Sequence, residues 1–199
     1  CTRLTKISIP NSVTSIGYFS FCECNGLESI VLPNSVRTID GFAFEASASL
    51  TSITFGEGVQ SISLELFDYC TSLMSIEVVE GNQHFASVDG VLFSKDKKLL
   101  HAFPPGRKGQ YIVPDTVTHV EIYAFSTCSV ESIWFQEGVE VIHYTAFDNA
   151  DKLKFCVLPT TIREFEPITG FVRGFTIYIP EDLFLLQNEF HRAIRFVTY

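Results

Sequence analysis

No apolar run in the chain approaches the ~20 residues needed to cross a bilayer, because Ser, Thr, Asn or a charge interrupts every few positions. Membrane insertion is therefore not expected. Basic excess is also missing: 14 Lys and Arg stand against 23 Asp and Glu, a formal charge of -9, and no basic stripe overturns that field. Such a surface repels nucleic acid and anionic lipid, which removes both as partners. Glycine-rich phosphate loops, a nucleophile elbow around a serine and a helical zinc-protease motif are all absent from the sequence. The five histidines, His84, His101, His119, His143 and His191, fall at unrelated phases without a catalytic spacing to a carboxylate, and read as solvated surface residues. No catalytic residue, and no enzyme, is expected.

Cys22-Glu23-Cys24 lacks the two-residue spacing and second ligand pair of a zinc site, so neither a metal nor a cofactor is expected. The chain opens Cys1-Thr2-Arg3-Leu4, without an initiator Met or a secretion signal. These residues read as the tail of a repeat, which predicts a fragment of a longer protein and leaves the compartment unread.

What the sequence has is a repeat. Leu4, Leu27, Leu50 and Leu73 stand 23 residues apart, and each is followed three residues later by Ile7, Ile30, Ile53 or Ile76 and then by Ile9, Leu32, Phe55 or Val78. Alternation of period two marks a short strand. Pro10, Pro33 and Gly56 end it in a turn. Val13, Val36 and Val59, with Ile16, Ile39 and Ile62, form a second inward edge; Phe21, Phe44 and Phe67 then precede Cys24, Ser47 and Cys70. The pattern resumes at Tyr111-Ile112-Val113-Pro114 and runs through units from Val130 and Leu153, decaying as Phe165 and Arg173 replace the usual residues. Repeats of this size cannot bury their own apolar edge, but stacked ~4.8 Å apart they join into one core.

Between the two runs, Val91-Leu92-Phe93 and Leu99-Leu100-His101-Ala102-Phe103 flank the polar Ser94-Lys95-Asp96-Lys97-Lys98 and read as a β-hairpin. It stands in for the usual turn and Phe-Cys segment of an irregular unit at about 73–107; the alternative is a protruding contact element. A last partial unit, Ile177, Ile179, Pro180, Leu183 and Leu186, runs into LFLLQNEFHRAIRF, an amphipathic segment read as a helical cap over about 174–199.

The pattern L-x-x-I-x-I-P-x-S-V-x-x-I-x-x-x-x-F-x-x-C, carried by Leu4 to Cys24 and again by Leu27 to Ser47, resembles that of BspA-type leucine-rich-repeat proteins, as does the stretch from Asp89 to Pro104. The resemblance covers nearly the whole chain. It implies a single leucine-rich-repeat solenoid over 1–199: short parallel β-strands with turns and short helical segments, the inserted hairpin and the C-terminal helical cap. It also implies a cell-surface or secreted binding role, with a protein as partner, host and extracellular-matrix proteins among the candidates.

Cys1, Cys24, Cys70 and Cys128 share one phase with Ser47 and Ala150, so small size is the common requirement there; one bridge, Cys1 to Cys24, is geometrically conceivable. Outward strand positions are not dictated by stacking and carry more information. One column reads Ser8, Val31, Thr54, Glu77, Ile112, Trp134, Val157 and Tyr178, with Phe155 on the same face. Its C-terminal members, Ile112, Trp134, Phe155, Val157 and Tyr178, form the candidate partner-binding patch, since exposed aromatics dominate interface hot spots. Beside this reading stand a structural one, in which such residues merely favour strands, and a second function class, a passive spacer displaying another domain of the parent protein.

Overall fold

The computed structural model describes residues 1, 3–143, 145–165, 175–181 and 195–198. Where Leu and Ile alternate with polar residues, the inward side chains are buried and the chain is extended: β1 (Ser15–Ile16), β2 (Ser29–Val31), β3 (Thr38–Ile39), β4 (Ser52–Phe55), β5 (Ser61–Ile62) and β6 (Ser75–Val78). Then come β7 (Phe85–Val88), β8 (Val91–Ser94) and β9 (Leu99–Ala102), followed by β10 (Lys108–Val113), β11 (His119–Val120), β12 (Ser129–Phe135) and β13 (Val141–Ile142). The last are β14 (Phe155–Val157), β15 (Glu164–Phe165), β16 (Thr176–Ile179) and β17 (Arg195–Thr198).

Each turn of this parallel β-solenoid contributes a strand to two rows. In the first half β2, β4 and β6 make one row and β1, β3 and β5 the other; in the second half the rows are β10-β12-β14-β16-β17 and β9-β11-β13-β15. Register follows the repeat: Ile30 pairs with Ile53 and Ile53 with Ile76, all buried. Burying one such side chain stabilises by about 2 kcal/mol relative to leaving it exposed. The first unit departs from expectation, for Leu4 to Ile9 forms no strand and Ile7 and Ile9 are only half-buried.

The expected helical segments do not occur: among the described residues the stretches around Phe21, Phe44, Phe67, Phe125 and Phe147 are turns. The reason is local. Phe19 and Glu23, Phe42 and Ala46, Glu65 and Tyr69, and Tyr123 and Thr127 all have left-handed φ between 52° and 60°, which a right-handed helix cannot accommodate. The amides of these turns bond across the stack instead, Phe21 N to Ala43 O at 2.8 Å, Ala46 N to Asp68 O at 2.7 Å and Phe125 N to Ala146 O at 2.7 Å. The helical cap fares similarly. Most of it, residues 182–194, lies outside the described residues, while Arg195 and Phe196 belong to β17, a strand that extends the row parallel to β16.

The hairpin of β8 and β9 is present, and β7 adds a third strand to it; β8 runs antiparallel to both, and β9 then pairs in parallel with β11. Leu100 thereby joins the column of Val120 and Ile142, and the ring of Phe103 packs tilted against that of Phe125, centroids 5.3 Å apart. The meander does not protrude. Val91, Leu92 and Phe93 are all buried, Leu92 in the core of the first half and Val91 with Phe93 in that of the second.

Candidate functional site

Ile112, Trp134, Val157 and Tyr178 lie side by side because β10, β12, β14 and β16 share one register, which carries on to Val197 in β17. Trp134, Val157 and Tyr178 each sit at an outward position between two buried neighbours, and Ile112 between half-buried Tyr111 and buried Val113. Ile112 is 51% and Trp134 40% exposed, while Phe155, Val157 and Tyr178 are half-buried. Phe155 occupies the column that holds Ser132 and Thr176. Its ring stands edge-on to Trp134, centroids 6.3 Å apart, and edge-on to Tyr178 at 5.4 Å. The five residues named from the sequence are thus brought into one continuous ridge.

Beside the ridge runs an open groove of about 920 Å³ lined by Trp134, Phe155, Val157, Tyr178, Pro159 and the turn residues Asp115, Gln136 and Glu137, with Phe135 at its floor. Glu137 accepts hydrogen bonds from Thr160 N at 3.0 Å and Thr160 Oγ1 at 2.7 Å, and these hold its carboxyl below the usual carboxylate range. At the other edge of the row, Lys154 Nζ pairs with Glu131 Oε2 at 2.5 Å on the neighbouring rung.

A second exposed apolar group went unread in the sequence. Tyr18 (64% exposed), Phe19 (55%), Phe42 and Leu64 lie on the turns after β1, β3 and β5, with Phe19 and Phe42 stacked at 5.2 Å. Its sequence signal is an aromatic recurring after 23 residues, Phe19 and Phe42, just upstream of the core Phe.

The cysteines are free thiols, so the conceivable Cys1–Cys24 bridge is not formed. Their shared position has a chemistry beyond size: Ser47 Oγ donates to Phe21 O at 2.6 Å, and Cys70 Sγ makes the same bond to Phe44 O at 3.0 Å. His101 is not a solvated residue. It is largely buried in the meander, its Nδ1 3.9 Å from Glu121 Oε2, and burial lowers its pKa. Among the described residues no group of three or more His, Cys, Asp or Glu side chains could hold a metal ion, and no helix is long and apolar enough to cross a membrane.

The model of the BspA type leucine rich repeat region matches residues 1–105 and 108–169 in six copies. Among solved structures, the chain is similar to a leucine rich cell surface protein of Faecalibacterium prausnitzii, at 23% identity and a TM-score of 0.64 over 94% of this chain and 58% of that one. It is also similar to a leucine-rich repeat protein of Eubacterium ventriosum, at 16% identity and a TM-score of 0.54 over 84% of this chain and 64% of that one. The chain therefore spans about three fifths of the length of these structures, and the likeness is one of fold. No protein of curated function matches the sequence.

Proposed function

The chain belongs to the BspA-type leucine-rich-repeat family, and on that premise we propose that it is a protein-binding or adhesive module of a cell-surface or secreted protein. Its contact surface is the ridge of Ile112, Trp134, Phe155, Val157 and Tyr178. The observation carrying this reading is the exposure of Ile112 and Trp134 in an outward row, continued by Phe155, Val157 and Tyr178, that core packing does not require. A phenylalanine set between a tryptophan and a tyrosine supplies, with them, large, rigid contact area of the kind that dominates hot spots. A spacer that only displays another domain needs no such row.

The test is the affinity of the chain and of its Trp134→Ala/Tyr178→Ala variant for a panel of immobilised extracellular-matrix and cell-surface proteins. For any protein bound, the variant should lose at least about tenfold in affinity, roughly 1.4 kcal/mol, with its melting temperature nearly unchanged. Equal affinity in the folded variant removes the ridge from the contact, and no binding by the parent chain favours the spacer.

A further inference from the structure

The groove beside the ridge has one sign of charge. Of its nine lining residues, Asp115 and Glu137 are acidic and none is basic, while the walls are Trp134, Phe155 and Tyr178. The two carboxylates occupy the same place in successive repeats, directly after Pro114 and Gln136, where the chain leaves β10 and β12. Adjacent rungs lie ~4.8 Å apart, a spacing that a guanidinium fork or an ammonium group can bridge. Among the described residues neither carboxylate has an ion-pair partner, the pairs of this half being His101–Glu121, Lys154–Glu131 and Arg163–Glu140. Glu137 is fixed in place by Thr160 and stays ionised at neutral pH. The negative charge is therefore built in and has no ion-pair partner among the described residues.

From this complementarity we propose that the groove takes a basic side chain, Arg or Lys, from an extended segment of the protein partner, its charge at Asp115 and Glu137 and its stem against Trp134. Aromatic faces attract such cations, best of all the indole of Trp, and the apolar stem of Arg or Lys covers the ridge beside it. The chain's net charge of -9 steers the same class of partner inward. This inference rests on the ridge being the contact surface and adds the chemistry of what contacts it.

Trp134 is the single tryptophan of the chain, so fluorescence excited selectively at the indole, at the red edge where tyrosine does not absorb, reads this groove. The probes are a blocked arginine–glycine–arginine peptide, its glutamine and glutamate counterparts, and cellohexaose. The arginine peptide should change Trp134 emission saturably, with an affinity that falls as salt is added and falls at least about tenfold in Asp115→Asn/Glu137→Gln. Asp115→Asn alone, at an exposed turn position, gives a smaller loss and guards against misfolding of the double variant. An equal response to the glutamine or glutamate peptide, or an unaltered response in the folded double variant, overturns the cationic occupant. So does a response to cellohexaose alone, which leaves the ridge as a contact surface for another ligand. Silence with every probe overturns it too, while the double-alanine comparison above judges the ridge independently.

Discussion

Ser47 shows what the small-residue position of the repeat requires. It is fully buried, donates to Phe21 O and accepts from Cys24 N at 3.2 Å, so its hydroxyl fastens one rung to the one before. Cys70 repeats the donor role with sulfur. Ser47→Ala should destabilise by about 1–2 kcal/mol in chemical denaturation, because the hydroxyl's bonds to Phe21 O and Cys24 N between the rungs are both lost. Ser47→Cys should cost clearly less. Equal losses would mean that size alone matters, which is all that the alternation of Cys, Ser and Ala could show in the sequence.

Asp68 is a residue whose character was invisible there. Burial pushes its carboxyl up to about 7, Glu65, Asp148 and Glu45 adding to the rise and the Ser126 side chain offsetting part of it. It lines a narrow cavity of about 100 Å³ where the two halves of the solenoid meet, with Glu65, His101 and Glu121. In the unfolded chain an Asp loses its proton near pH 3.9, so between about pH 4 and 7 the folded chain holds one proton more and stability falls as pH rises. Above about pH 7 the full cost is in place. Asp68→Asn should accordingly melt higher than the parent at about pH 8, and the difference should shrink as pH falls and be nearly gone only by about pH 4. His101, lowered by burial, acts in the opposite sense below its ordinary range, but equally in both proteins. A difference independent of pH would contradict the buried-carboxyl account.

At the scale of elements, the parallel rungs were legible because the 23-residue period fixes both which side chains turn inward and which rung lies next. Helical segments were misread since the same apolar spacing serves a turn, and left-handed φ at Phe19 or Ala46 leaves no mark on non-glycine residues. Strand β7 could have been read. Asp89-Gly90 is a two-residue hairpin signal, and both residues have positive φ, 47° and 73°. At Gly90 a Cβ would lie 2.7 Å from that of Ser75, so the turn packs directly on β6. Asn82 anchors the entry to β7: its Nδ2 donates to Gly56 O and Val59 O, both at 3.0 Å, and its Oδ1 accepts from His84 N and Phe85 N at 2.8 Å.

The meander separates two hydrophobic cores, and β8 faces both. Phe93→Ala should cost about 3–5 kcal/mol, and because a solenoid's stability is a sum of local terms, the loss should fall on the second half. Hydrogen exchange would then show faster amides in β9 to β13, with β2 and β4 little changed. Uniform loss along the chain would mean that the halves unfold as one unit.

For the whole molecule, the stack places two exposed apolar groups on different features, the strand ridge of the second half and the turn aromatics of the first. Only the ridge could be named from the sequence, because its residues lie in one strand register, whereas the exposure of Tyr18 and Phe19 depends on turn geometry. The central claim assigns partner contact to the ridge. It is tested most directly by comparing two variants against the same bound protein, Trp134→Ala/Tyr178→Ala and Tyr18→Ala/Phe19→Ala, each shown to be folded. The account predicts that the first loses at least about tenfold in affinity and the second keeps the parent value. Loss in the second with retention in the first would contradict it.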